Sequence, residues 1–270
     1  MTSTSGSLQR SRPVSTAAVV THGRVDVDEA VQRVRAVAER AGVTVVDDPR
    51  DAEIVVALGG DGTMLRTLAQ LLGSNVPVIG VNFGRVGFLA SIRPDDLEQN
   101  LERVFAGDYV VVELSTLEVR LNGDRHVAVN DVVATSSTLG RMVELAWAVG
   151  GEDLGTVSCD GMICSTPTGS TAYNLSNGGP VLVRGLDAMA VTFIAPHSLQ
   201  ARPLVVPRGL EVTVRNATHD VSVALLVDGR RVSEVAPGDE VAVHLCDQRS
   251  LLATLPETTF FSRYRETFSS

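Results

Sequence analysis

The stretch Ile54-Val55-Val56-Ala57-Leu58-Gly59-Gly60-Asp61-Gly62-Thr63 runs from a continuous apolar segment straight into a glycine-rich turn. A short apolar run without alternation is the pattern of a strand covered on both faces, as in a parallel sheet. After the turn, Thr63 to Leu72 places apolar side chains at helical spacing. The same pattern repeats outward from this strand, turn and helix. Ala17 to Val20, Val43 to Val46 and Val76 to Val81 are further buried-strand runs. Asp26 to Ala41 is a predicted helix with Ala30, Val31, Val34, Val37 and Ala38 on one face, closed by Gly42 at a C-cap position. A last helix runs from about Asp95 to Phe105 and presents Leu97, Leu101, Val104 and Phe105. Strands alternating with helices predict an α/β domain over residues 17–108, built on a parallel sheet.

Beyond Gly107 helical periodicity fades and short β-rich segments follow. Asn122-Gly123 and Gly150-Gly151 are hairpin dipeptides between alternating runs. Leu117–Leu121, Val127–Val129, Val143–Val149, Val191–Ala195, Leu210–Val214, Val221–Val227 and Val241–Leu245 are expected strands. They predict an all-β sandwich over residues 109–245. The closing segment, residues 246–270, is expected to return to the α/β domain, with Thr259 to Thr267 as a helix. Residues 1–16 are rich in Ser and Thr without an apolar signal-peptide core, and are expected to form a disordered leader.

Composition narrows the function. The chain has 270 residues, 44% hydrophobic and 20% charged, as in an ordinary globular protein. No apolar run reaches the roughly 18 to 20 residues of a membrane span, so a cytoplasmic protein without a membrane partner is expected. Cys159, Cys164 and Cys246 are too few and wrongly spaced for a disulfide framework or a zinc site. A net charge of −9 argues against a nucleic-acid partner, which needs a basic face. All 23 basic residues are arginine, so a phosphate-loop or Schiff-base lysine is excluded. Any phosphate is handled by backbone N–H groups, arginines and a metal ion.

Two loops carry chemistry. Gly59, Gly60 and Gly62 around Asp61 let the backbone turn tightly and let a ligand approach it closely. The following helix N-terminus suits a phosphate, and Arg66 lies one turn along it. Asp61 either shares a divalent cation with phosphates, takes a hydroxyl proton as general base, or merely caps the helix. The second loop, Ser165 to Tyr173, holds hydroxyls at six of nine positions, with Asp160-Gly161 just before it. Such a loop is either a sugar- or phosphate-binding element or an ordinary polar turn. Asn130-Asp131 offers an amide and a carboxylate suited to ribose hydroxyls. Neither Gly-x-Gly-x-x-Gly nor a Walker loop is present.

In this order and spacing the motifs resemble the NAD kinase family. The elements are Gly59 to Thr63, Gly80 to Leu89, Asn130-Asp131, Asp160-Gly161, Ser165 to Ser176 leading into Gly178-Gly179-Pro180, Pro196 to Leu199, Arg202 to Leu204, and Asp228-Gly229. The glycine–aspartate element is shared with diacylglycerol-type kinases, whereas the hydroxyl block is more specific. The resemblance implies an α/β nucleotide-binding domain plus an all-β sandwich, the NAD kinase/diacylglycerol kinase-like fold. It implies transfer of the terminal phosphoryl group of ATP, or of polyphosphate, to the adenosine 2′-hydroxyl of NAD. Asp61 is then the catalytic carboxylate, as base or metal-placing group, and lines the NAD site with Gly62. Phe88 is expected near the adenine, and Asn130 and Asp131 at ribose and adenine. Asp160 is expected at the nicotinamide end, often across a subunit contact. Thr171, Ala172, Tyr173, Asn174, Leu175, Ser176, Ala195 and Arg230 are expected in the binding site. With lysine absent, Arg66 and Arg141 are the candidates for bidentate anion contact.

The same resemblance implies Mg²⁺ or another divalent cation, with no dedicated protein ligand set, and a homo-oligomer (dimer or tetramer). Leu114, Ser158, Asn174, Arg184, Phe193 and Arg230 depart from residues common in the family. Two rival readings are a lipid or sphingoid kinase, which lacks its membrane-binding surface here, and a non-catalytic NAD sensor, which has no need of Asp61.

Overall fold

The structure, a computed structural model, describes residues 7–10, 13–21, 28–84 and 87–268. Two compact units divide the chain: one comprises residues up to Leu114 and from Arg249 onward, the other Ser115–Gln248.

In the first unit the elements are β1 (Ser7–Arg10), β2 (Thr16–Thr21), α1 (Asp28–Arg40), β3 (Thr44–Val45), β4 (Ile54–Gly59), α2 (Asp61–Gln70), β5 (Val78–Asn82), α3 (Leu97–Phe105) and the start of β6 (Tyr109–Leu121). β2 pairs in parallel with β3 on one side and β4 on the other, and β4 pairs in parallel with β5. Leu252, near the end of the chain, extends the sheet in parallel beside Val78. Strand addition therefore reverses direction between β2 and β4, and β4 delivers its carboxyl end there. That is where open α/β sheets leave a crevice.

Alternation along β4 sorts its side chains to two faces. Ile54, Val56 and Leu58 join Val34, Val37, Ala38, Leu97, Leu101, Val104 and Phe105 in one core beneath α1 and α3. Each Val, Leu, Ile or Phe among them, fully buried, contributes about 1.5–3 kcal/mol. The two helices are also tied by Arg33 Nε to Glu98 Oε1 at 2.6 Å. On the other face α2 lies so close that a Cβ on Gly80 would meet Met64.

α2 begins at Asp61, two residues before the sequence pattern places it. Gly60 serves as N-cap, its carbonyl accepting the Thr63 and Met64 N–H groups at 2.9 and 3.1 Å. The expectation of a disordered leader over residues 1–16 is corrected at β1, which pairs antiparallel with Tyr109–Val112. An unpaired strand edge offers backbone partners that do not depend on an apolar side-chain pattern. Thr16 already belongs to β2. The proposed start of α1 at Asp26 and the motif residues Arg85 and Val86 lie outside the described residues.

The second unit is two antiparallel sheets. Its further strands are β7 (Asp124–Ala128), β8 (Asp131–Ser136), β9 (Val143–Val149), β10 (Glu152–Cys159), β11 (Gly161–Ser165), β12 (Ala188–Ile194), β13 (Leu204–Pro207), β14 (Val212–Asn216), β15 (Val223–Val227), β16 (Arg230–Val235) and β17 (Glu240–Thr254), with the short helix α4 (Tyr173–Ser176). One sheet has the order β13-β12-β11-β8-β15-β16. The other includes β10-β9-β14-β17, with β6 and β7 joined to it. Their inner faces share a core that includes Val132, Met162, Val191 and Leu225 from one sheet and Leu145, Trp147, Val214 and Val243 from the other. Trp147 meets Phe193 edge-on across the sandwich, with centroids 5.4 Å apart. β17 runs on past the boundary into the first unit, followed by α5 (Phe260–Phe268). Among the described residues no helix is long and apolar enough to cross a membrane.

Candidate functional site

In the first unit the glycine turn after β4 presents Asp61. The side chain does not cap α2, so the capping alternative is set aside. Its carboxylate accepts three consecutive backbone N–H groups instead: Phe88 on Oδ2 at 2.7 Å, and Leu89 and Ala90 on Oδ1 at 3.1 and 3.3 Å. A carboxylate has about four lone-pair sites, and among the described residues Oδ2 keeps one open. Glycine is required twice in this arrangement. A Cβ on Gly87 would stand inside the Asp61 carboxylate, and one on Gly59 inside the Thr63 side chain. Asp61 is half-buried, while Gly62 and Arg66 are exposed along α2.

Phe88, expected beside the adenine, gives Asp61 its N–H and turns its ring to Phe260 and Phe268 of α5, at 6.0 and 5.8 Å. The neighbouring Ala90 carbonyl accepts Nη2 of the buried Arg263 at 2.8 Å. Sequence reasoning passed over Arg263, which belongs to no motif, and saw Gly87 only as part of the Gly80–Leu89 family motif, without its place beside Asp61.

In the second unit the sheet order brings Asn130, Asp131 and the hydroxyl loop to one end of β8 and β11, where Asp131 pairs with Ser165. Thr166 donates its N–H to the Asn130 carbonyl at 2.8 Å and its hydroxyl to the Val129 carbonyl at 2.7 Å. Gly169 packs so tightly on Asn130 that a Cβ would strike its carbonyl. Asp228 and Gly229 both have positive φ, 49° and 74°, and turn β15 into β16 as a two-residue hairpin. From that turn the Asp228 carboxylate accepts the N–H groups of Val129, Asn130 and Asp131 at 3.0, 2.7 and 3.3 Å. Sequence reasoning saw Asp228-Gly229 only as a family motif, and the structure gives it a positioning task. Burial, aided by Asp228, pushes the Asp131 carboxyl up to about 7. Burial also raises the Asp228 carboxyl, outweighing its three N–H donors and the attraction of Arg230. The buried Asn130 Oδ1 has no hydrogen-bond partner among the described residues, which leaves an acceptor for a ligand's N–H or O–H.

The hydroxyl block divides by burial. Ser165, Thr166, Thr168 and Ser170 are buried, and the hydroxyls of Ser165, Thr166 and Ser170 hold neighbouring carbonyls. The Ser165, Thr166 and Ser170 hydroxyls thus build the loop, their polar atoms matched inside it. The Asn174 side chain serves the loop in the same way. It is fully buried, with Nδ2 donating to the Ser170 and Pro180 carbonyls at 3.0 Å each and Oδ1 accepting from Thr192 Oγ1 at 2.7 Å. Its hydrogen-bonding capacity is met by the protein. Ala172, Tyr173 and Ser176 are exposed, and Thr171 and Leu175 partly so. Arg230, exposed at the start of β16, belongs to this same end of the sheet.

Asp160 and Ala195 stand at the other end. Gly161 and Ile194 are paired, and both candidates are exposed just beyond that pair. Five residues of β11 separate the two ends, about 15 Å at strand rise. Arg141 Nη2 pairs with Asp220 Oδ2 at 2.8 Å in an exposed loop. A carboxylate partner competes directly with phosphate for the guanidinium. Among the described residues no cluster of three or more His, Cys, Asp or Glu is arranged to hold a metal ion.

With this geometry in view, comparison with known proteins is direct. Residues 12–109 match the ATP-NAD kinase N-terminal domain and residues 129–255 the ATP-NAD kinase C-terminal domain. An NAD kinase of Heliobacterium modesticaldum is 42% identical over 225 residues, covering 82% of this chain and 80% of that protein. An NAD kinase of Gemmatimonas aurantiaca is 40% identical over 225 residues, covering 81% and 77%. Yeast NADH kinase complexed with NADH shares the fold, with a TM-score of 0.83 at 22% identity over 95% of this chain and 88% of that one. An NAD kinase from Archaeoglobus fulgidus in complex with ATP gives a TM-score of 0.78 at 26% identity over 94% and 97%. With both family domains matched and relatives at about 40% identity along most of their length, the chain belongs to the NAD kinase family.

Proposed function

We propose that this protein transfers the terminal phosphoryl group of ATP, or of polyphosphate, to the adenosine 2′-hydroxyl of NAD, giving NADP. The observation that carries the reading is the Asp61 carboxylate, fixed by three peptide N–H groups at the start of α2. Phosphoryl transfer needs little covalent chemistry from the protein, and most of the work is positioning and charge neutralisation. Three N–H donors hold Asp61 to one orientation, and the remaining lone pair on Oδ2 receives the 2′-hydroxyl proton as the hydroxyl attacks. The first N–H groups of α2 and the exposed Arg66 meet donor phosphates.

Asn130 and Asp131 bind the adenosine, with Asn130 Oδ1 as acceptor and a largely protonated Asp131 as donor below about pH 7. Thr171, Ala172, Tyr173, Leu175, Ser176 and Arg230 line the same end, and Asp160 and Ala195 hold the nicotinamide portion. Mg²⁺ would be held chiefly by the substrate phosphates and water, with no dedicated protein ligand set, since the open lone pair of Asp61 serves the 2′-hydroxyl. Such an ion supplies charge neutralisation on the triphosphate. A homo-oligomer, dimer or tetramer, is part of the same proposal.

The test is NADP formation from NAD, ATP and Mg²⁺ by the wild type beside Asp61→Asn. Turnover that falls at least a hundredfold in the variant, with NAD affinity kept, supports the proposal; such losses are of the order seen when one well-placed acid–base group is removed. Intact NAD binding without turnover, using ATP, other triphosphates or polyphosphate, would make the protein an NAD sensor.

A further inference from the structure

We infer that Arg263 of α5 is a positioning residue for Asp61, acting through the peptide strip 88–90. The inference rests on the catalytic role proposed for Asp61. Phe88, Leu89 and Ala90 supply the three N–H groups that hold the Asp61 carboxylate. These residues follow β5 in an irregular segment, and the sheet anchors only its far end, where the Ser91 and Ile92 N–H groups donate to the Gly80 carbonyl at 3.1 and 3.0 Å. α5 holds the strip itself at two further points. Phe260 and Phe268 pack on the Phe88 ring. Arg263 Nη2 donates to the carbonyl of Ala90, whose own N–H reaches Asp61 Oδ1.

One residue therefore links a buried guanidinium to the carboxylate. Arg263 is itself held: Nη1 meets Glu266 Oε2 at 3.1 Å, and its N–H donates to the Thr259 carbonyl at 3.2 Å. Without the guanidinium the Ala90 carbonyl loses this donor, and the strip gains freedom to rotate its N–H groups away from Asp61. Misplacement of a reacting group by about an ångström costs up to roughly a hundredfold in rate. On the proposed reading NAD is held mainly by Asn130, Asp131 and the loop residues, so the loss falls mainly on kcat. The signature is a change in kcat with KM preserved.

The experiment compares full-length wild type, Arg263→Ala and Arg263→Lys. It reads kcat, KM for NAD and for ATP, and amide hydrogen exchange at residues 88–90. In Arg263→Ala, kcat falls about tenfold or more while both KM values stay within about twofold. Exchange at Leu89 and Ala90 speeds up, and other helices keep wild-type protection. In Arg263→Lys much of the loss is recovered, because an ammonium still supplies one donor to Ala90. Wild-type kcat and wild-type exchange in Arg263→Ala would overturn the inference. So would parallel changes in kcat and KM with protection lost across the unit, in both variants. Hydrogen exchange separates this inference from the reading beneath it. Faster exchange at 88–90 in a protein with no kinase turnover would retain the mechanical link and remove the catalytic role of Asp61.

Discussion

Asp131 and Asp228 are joined reciprocally: the Asp228 N–H donates to the Asp131 carbonyl at 3.0 Å, and the Asp131 N–H returns to Asp228 Oδ1 at 3.3 Å. Two carboxylates are thereby held near each other in a largely buried corner, where water cannot screen them. Burial is the main reason that the Asp131 carboxyl is pushed up to about 7, and Asp228 adds to it.

The sign of the pH dependence follows. Between about pH 4 and 7 the unfolded chain has released the Asp131 proton and the folded protein keeps it. The folded state binds more protons there, so stability falls as pH rises across this window and the loss is complete above it. The full effect is on the order of 4 kcal/mol. Asp131→Asn carries no titrating group at that position. Melting temperature measured from pH 4 to 8 should fall less steeply in the variant, with the difference curve flattening above pH 7. Parallel curves for the two proteins would show that Asp131 is ionised across the range.

Asn174 and Ser176 stand two residues apart in one motif and are expected to respond oppositely. Truncating Asn174 to Ala leaves the Ser170 and Pro180 carbonyls and the Thr192 hydroxyl without their present partner. Buried groups left unpaired cost about 1–3 kcal/mol each, so Asn174→Ala is expected to lose at least ~2 kcal/mol in denaturant unfolding. Ser176 is exposed, and Ser176→Ala should stay within about 0.5 kcal/mol of wild type. Its effect belongs in KM for NAD. Equal stability of the two variants would contradict the division drawn through the hydroxyl loop.

That division was not legible in the sequence, and the reason is physical. Hydroxyl and amide side chains serve a ligand or the backbone equally well, and only burial separates the two uses. The Asp61 clamp was hidden for a related reason, since its three donors are peptide N–H groups, which every residue but proline possesses. What the sequence showed clearly was patterning. The apolar runs of β4 and β5 and the stripe of α3 predicted their elements closely. Asn122-Gly123, with φ of 51° and 91°, made the expected hairpin turn. Strands without such a pattern were passed over. β10 is an edge strand, almost wholly exposed and interrupted by a bulge between Asp153 and Thr156. β11 lies inside the sheet but is built from Gly161, Met162, Ile163, Cys164 and Ser165, too short a run to stand out beside the loop that follows.

Gly87 offers the most direct test that the placement of Asp61, and not its presence alone, governs the chemistry. A Cβ at this position would overlap the Asp61 carboxyl group. Both must then shift, and the N–H groups of Phe88 and Leu89 are the contacts nearest in sequence to be lost. Gly87 itself is only partly buried and Asp61 half-buried, so the displaced carboxylate can move toward solvent without opening the core beneath α1 and α3. Gly87→Ala is therefore expected to fold with a melting temperature close to wild type while kcat drops about tenfold to a hundredfold. Asp61→Asn in the Gly87→Ala background should add much less than it does alone, because the two substitutions remove the same aligned carboxylate. Kinetics of the two single variants and the double variant, with circular dichroism as the check on folding, decide the matter. Fully additive losses would mean that Gly87 acts elsewhere and that the three N–H groups merely accompany the catalytic carboxylate.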